Sequence, residues 1–82
     1  MIVRILYFAK ASELAHTHDE ELDVPDGIPT LSALLSHIAV RHPALGPALP
    51  RMRVARNEAF AELDERPVHG DVIALIPPVA GG

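Results

Sequence analysis

The sequence contains no cysteine. That absence excludes disulfides, thiolate nucleophiles and thiolate metal sites together. Aromatic residues are also scarce. Tyr7, Phe8 and Phe60 are the only three, so the core is expected to be aliphatic, built from Ile, Leu, Val and Ala. No apolar run approaches the ~20 residues needed to span a bilayer. The N-terminus lacks a basic region followed by an apolar stretch and a small-residue cleavage site, so no signal peptide is expected. A cytoplasmic location without a membrane partner is the default reading.

Positive charge is in short supply as well. Seven Lys and Arg face eleven Asp and Glu, giving a formal net charge of −4. Affinity for nucleic acid comes largely from Lys and Arg neutralising phosphates, so no nucleic-acid partner is expected. The one basic cluster is Arg51, Arg53 and Arg56, readable either as a solvated strand face or as a contact to an acidic partner. No Gly-x-Gly-x-x-Gly or P-loop pattern is present, so the chain is not expected to bind ATP itself. Five histidines invite a metal reading. His16 and His18 could share a strand face, but no third ligand is evident, and His37 and His42 do not share a helical face. No metal site is expected.

What is there fits one small domain of 82 residues. Residues 2–8 are rich in β-branched and aromatic types and read as a strand buried on much of both faces. Residues 10–16 suit a short helical turn. Residues 20–24 read as a second strand, stopped by Pro25-Asp26-Gly27. Leu31, Leu34, Leu35, Ile38 and Ala39 then mark one face of a helix, with Thr30 as N-cap and Pro43 as terminator. Arg41 and His42 suit the negative end of its dipole. Residues 43–50 form a proline-rich connector. Residues 51–56 and 59–63 read as strands around an Asn57-Glu58 turn. Residues 67–71 turn into a final strand, 72–76, whose continuous apolar run suits burial on both faces; Asp71 reads as a turn residue. The first and last strands should lie side by side, in parallel, at the centre of a mixed sheet with one main helix across one face. That is an α+β fold of the ubiquitin-like β-grasp type, with a domain at 1–76 and an extended tail at 77–82.

The tail carries the chemistry. Pro77-Pro78-Val79-Ala80-Gly81-Gly82 follows the last strand directly. A terminal Gly-Gly arises by chance in roughly one chain in 200 at average glycine usage. Six extended residues reach about 20 Å. Pro77-Pro78 pre-set a polyproline-like conformation, and two glycines leave the terminal carbonyl open to attack. A free carboxylate is a poor electrophile and needs adenylation by ATP on a separate enzyme. A sulfur donor can then displace AMP and leave a thiocarboxylate, which needs no cysteine. In the free chain residues 79–82 should be mobile, while 72–76 are held by sheet hydrogen bonds.

The stretch from Gly70-Asp71 through Val72-Ile73-Ala74-Leu75-Ile76 to Pro77-Pro78-Val79-Ala80-Gly81-Gly82 closely resembles the end of the molybdopterin synthase small, sulfur-carrying subunit. Ile5 to Lys10 followed by Glu13-Leu14 is similar to the same family's first strand and turn. The resemblance implies a thiocarboxylate on Gly82, with Gly81 beside it. It implies an adenylating enzyme resembling ubiquitin-activating enzymes, a sulfur donor, and a large synthase subunit that accepts the tail within a heterotetramer. No cofactor is held stably; ATP belongs to the activating enzyme. Sulfur then builds the dithiolene on a pyranopterin phosphate, with the acid–base groups on the large subunit. The family's partner-binding patch falls on Phe8, Phe60 and Ile76, continued by Pro77, Pro78, Val79 and Ala80. Core packing is the other reading of Phe8, Phe60 and Ile76. Ser12 stands where the family often has arginine. A carrier for thiamine or cysteine synthesis, a ubiquitin-like modifier of lysines, and an interaction-only domain are the alternatives; Pro77-Pro78 favour the molybdopterin branch over the thiamine one.

Overall fold

The computed structural model describes residues 1–78, and the mobility expected of residues 79–82 lies outside that range. In chain order the elements are β1 (Ile2–Tyr7), α1 (Lys10–Ala15), β2 (Asp19–Asp23) and α2 (Leu31–Arg41). Two 3-10 turns follow (Pro43–Leu45 and Leu49–Arg51), then β3 (Arg53–Arg56), β4 (Ala59–Phe60) and β5 (Val72–Ile76). The strands form one sheet in the order β2-β1-β5-β3-β4. β1 and β5 run parallel, with Ile5 opposite Ile73 and Tyr7 opposite Leu75; the other pairings are antiparallel. This is the β-grasp arrangement expected from the sequence, with the two most apolar strands adjacent.

One helix covers one face. Leu31, Leu34, Leu35 and Ile38 of α2 are buried against Val3, Ile5 and Tyr7 of β1 and Ile73 and Leu75 of β5 within a single apolar cluster. Each such side chain removed from water contributes roughly 1.5–3 kcal/mol. Thr30 caps the helix, accepting from the Ala33 amide at 3.1 Å. The first two amides of α2 have no partner within the helix; those of Leu31 and Ser32 instead donate to the carbonyls of Glu65 and Leu63. The helix is thereby tied to the loop before β5. That loop ends at Gly70, whose φ of +89° suits glycine and whose amide donates to the Ile2 carbonyl at 2.8 Å. Asp71 is the buried turn residue, accepting from the Val68 amide and Asn57 Nδ2.

Several boundaries and faces differ from the sequence reading. β1 and β5 are not fully buried on both faces; in β5 Ala74 is buried, but Val72 and Ile76 on the same face are half-buried. In β1, Val3, Ile5 and Tyr7 are buried and alternate with half-buried Ile2, Arg4 and Leu6, because only one helix crosses the sheet. Tyr7 joins the otherwise aliphatic core. β1 ends at Tyr7 because Ala9 takes φ +48° and turns the chain into α1. β3 starts at Arg53 because Leu49–Arg51 coil into a 3-10 turn closed by the Met52 amide on the Leu49 carbonyl. The strand expected at 59–63 ends at Phe60; beyond it the Glu65 carboxylate accepts from the Glu62 amide and bends the chain. His16 and His18 share no strand: His16 is the left-handed cap of α1, and β2 begins at Asp19.

Glu20 links the far edge of the sheet to the end of the helix. The Tyr7 hydroxyl donates to it at 2.7 Å and Arg41 Nε at 3.1 Å, and His42 Nε2 lies in hydrogen-bond contact with the same carboxylate. Burial acts to raise the Glu20 carboxyl, but the bonds from Tyr7, His42 and Arg41 outweigh it and hold the group below its ordinary value. Burial and the Glu20 carboxylate together push the Tyr7 phenol far above its own ordinary value, so it remains a donor.

Two tests of this packing follow from burial and charge. Ile38→Ala should lose about 2–5 kcal/mol of stability by urea denaturation, whereas the exposed Val40→Ala should stay within about 0.5 kcal/mol. A depressed carboxyl stabilises the fold fully above its unfolded value, about 4.3 for Glu. That stabilisation is lost as the pH falls through the lower folded value. Denaturation across this range should show Glu20→Gln less stable than the parent at neutral pH, with the gap narrowing on acidification.

Candidate functional site

The face of the sheet opposite α2 has no covering element among the described residues. Period-2 alternation places Leu6 and then Phe8 of the β1 side, and Val72, Ala74 and Ile76 of β5, on this face. Register completes it: Leu6 and Ala55 both lie opposite Ala74, and Phe60 lies opposite Ala55. Two alanines therefore floor a groove between Leu6 and Phe8 on one side and Phe60 on the other, enclosing about 260 Å³. A second, broader concavity of about 770 Å³ begins at the shared residues Phe8 and Ile76 and runs along Met52 to Pro77 and Pro78. The apolar surface thus continues from the sheet to the root of the tail.

The structure decides between core and surface for the three patch residues. Phe8 is 48% exposed and Phe60 60%, and Ile76 is half-buried at the meeting point of the two concavities. None belongs to the buried core cluster. Pro77 and Pro78 line the second concavity. Val79, Ala80, Gly81 and Gly82 lie outside the described residues.

The charges divide into two sets. Arg4 pairs with Asp19 and Glu21, Arg41 with Glu20, and Arg56 with Glu65 and Asp71. Among the described residues Lys10, Arg51, Arg53 and Arg66 make no ion pair. Three of these four edge the apolar face. Lys10 and Arg51 line the concavity beside Pro77 and Pro78, and the Arg53 guanidinium lies 3.6 Å from the centre of the Phe60 ring. The expected basic cluster is therefore split, with Arg56 in an internal ion pair and Arg51 and Arg53 beside the face.

Comparison with known proteins places this arrangement. A model of the ThiS family matches residues 5–82. The chain belongs to the ThiS family. Within the family it is 33% identical to the molybdopterin synthase sulfur carrier subunit of Chlamydomonas reinhardtii, over 100% of both chains. The crystal structure of SAMP1 from Haloferax volcanii has a TM-score of 0.87 and 32% identity over 100% of both chains. A Helicobacter pylori structure, described as the complex of subunits 1 and 2 of molybdopterin-converting factor, has a TM-score of 0.70 and 25% identity, again covering 100% of both chains.

In this ThiS-family chain the family resemblance points to Phe8, Phe60 and Ile76 but not to the rest of the face. Leu6, Val72 and Ala74 belong to strands whose apolar runs read as buried on both faces, and Ala55 to a strand read only by its basic residues. Strict alternation through Leu6 to Phe8 was the available signal. Arg53 at the Phe60 ring and Glu58 at the groove edge needed the hairpin register to be seen. Because their rings stand largely in solvent, Phe8→Ala and Phe60→Ala should each change stability by under about 1.5 kcal/mol in urea melts. A buried phenylalanine would lose about 3–5 kcal/mol.

Proposed function

We propose that this chain is a sulfur carrier in molybdopterin synthesis. In this reading Gly82 is the reacting residue, its carboxyl first adenylated and then converted to a thiocarboxylate. The exposed apolar face docks the enzymes that load and unload it. The observation that carries the reading is the continuity of that face with Pro77-Pro78, from which four residues lead to Gly82. The full-length match to a sulfur carrier subunit supports it. So does the Helicobacter pylori complex, which makes a large synthase subunit the expected partner.

The chemistry follows from what the tail lacks. The carboxylate attacks the α-phosphate of ATP on an adenylating enzyme, pyrophosphate leaves, and a mixed anhydride forms. Sulfur at the sulfide level, released from its donor by a thiol reductant where the donor is a persulfide, attacks the carbonyl and AMP leaves, so one carboxyl oxygen is replaced by sulfur. On the large subunit the thiocarboxylate sulfur attacks a carbon of the pterin precursor and displaces the oxygen bound there; hydrolysis of the resulting acyl–sulfur bond leaves the sulfur on the pterin and restores the carboxylate. Gly81 and Gly82 present no side chain to obstruct either attack. Phe8, Phe60 and Ile76 supply apolar contact area, the usual source of hot spots at protein interfaces.

Likeness to SAMP1, a small archaeal modifier protein, favours a second reading. There the same activated carbonyl passes to a lysine amine instead of to sulfur. Intact-protein mass spectrometry after incubation with an adenylating enzyme, ATP and a sulfur donor separates the two. The full chain should gain the mass difference between sulfur and oxygen, and a chain lacking Gly82 should gain nothing while melting normally. Equal loading of the truncated chain would overturn the carrier reading, and isopeptide-linked conjugates in place of a thiocarboxylate would favour the modifier.

A further inference from the structure

Glu58 holds a backbone conformation that its residue type does not favour. Ala55 pairs with Phe60 and Arg56 with Ala59, so Asn57-Glu58 form a two-residue hairpin loop. Their φ values are +51° and +72°. A loop with both central residues left-handed is dominated by Asn and Gly, because a Cβ is strained there. Asn57 fits the rule, and its side chain serves the fold: Nδ2 donates to Asp71 Oδ1 at 3.0 Å, and Oδ1 accepts from the Val72 amide at 2.9 Å. Glu58 has no such role. Among the described residues its exposed carboxylate makes no hydrogen bond and no ion pair, yet it lines the groove together with Phe60 and Ala55.

Strained non-glycine backbone concentrates where function maintains it. The charges around the face give that function a direction. Glu58 marks the hairpin end as negative. Lys10 and Arg51 outnumber Glu13 at the end near Pro77-Pro78 and leave it net positive, with Arg53 on the Phe60 ring. Charge separated along a docking face fixes the orientation of the docked protein more than it adds raw affinity. A partner with its basic group over the hairpin and its acidic groups toward the tail root is seated with the tail directed into it.

We propose that Glu58 is a specificity-determining contact, its carboxylate pairing with a lysine or arginine that the docked protein presents beside the Phe60 anchor. The proposal rests on the reading of this face as a docking surface, so the experiment separates the two. The full-length chain is titrated calorimetrically against the large molybdopterin synthase subunit of the same organism, at low and high salt. Glu58→Gln, Glu58→Gly and Phe60→Ala are compared with the parent, and each is also melted.

Glu58→Gln should bind about threefold more weakly at low salt. The difference should close near 1 M salt, where the screening length falls to about 3 Å. Glu58→Gly should bind as weakly as Glu58→Gln while melting above the parent, since glycine relieves the turn. Parent-like affinity of Glu58→Gln at low salt, with Phe60→Ala weakened, overturns the Glu58 contact and leaves the docking face standing. Unchanged binding by Phe60→Ala overturns the docking reading and this contact with it. A Glu58→Gly chain that melts below the parent assigns Glu58 to hairpin stability and overturns the proposal as well.

Discussion

The parallel pairing of β1 with β5 is the constraint on which the rest of the structure depends. Two parallel neighbours cannot be joined by a tight turn, so everything between Tyr7 and Val72 serves as their connection. α2 lies within that connection and packs back across one face, where its buried leucines and isoleucine meet Val3, Ile5, Ile73 and Leu75. A domain of this size carries one main helix and can cover one face only. The central strands are nevertheless apolar on both sides. The surplus apolar surface of Leu6, Phe8, Val72 and Ile76 is left in the open, a contiguous patch of the kind that marks interaction sites.

Electrostatics sorts the remaining surface. Glu20 gathers Tyr7, Arg41 and His42 and fastens the end of α2 to the β1–β2 edge. Arg4 and Arg56 are consumed by neighbouring carboxylates. The cations left without an ion pair among the described residues fall mainly around the apolar face, although the chain as a whole is acidic. Apolar centres with charged rims are how protein interfaces are built. The Arg53 guanidinium over Phe60 combines both features in one contact.

A carrier of the kind proposed needs a platform that more than one enzyme can grip and an arm that reaches past it. The full-length Chlamydomonas reinhardtii relative is itself named a sulfur carrier subunit. Among the described residues the second concavity reaches Pro77 and Pro78. The reactive group proposed is the main-chain carboxyl of Gly82, and a domain without cysteine is well suited to carry sulfur there.

Much of the fold was legible in the residues. The spacing of Leu31, Leu34, Leu35 and Ile38 dictates a helix buried on one side, Thr30 and Pro43 bound it, and the apolar runs at 2–8 and 72–76 belong at the sheet's centre. These are local consequences of side-chain periodicity and capping, and they survive any tertiary context that buries the right face. The tail motif is likewise a property of the chain. What tertiary structure alone decided is which apolar residues are hidden. Alternation assigns Leu6, Phe8, Ala74 and Ile76 to one face and Val3, Ile5, Ile73 and Leu75 to the other, but it is silent on which of the two the helix covers. It is equally silent on the register that sets Ala74 of β5 between Leu6 and Ala55 and so leaves Glu58 at the edge of the groove they form. Coverage and register depend on contacts between segments distant in sequence, and those contacts exist only once the chain has closed on itself.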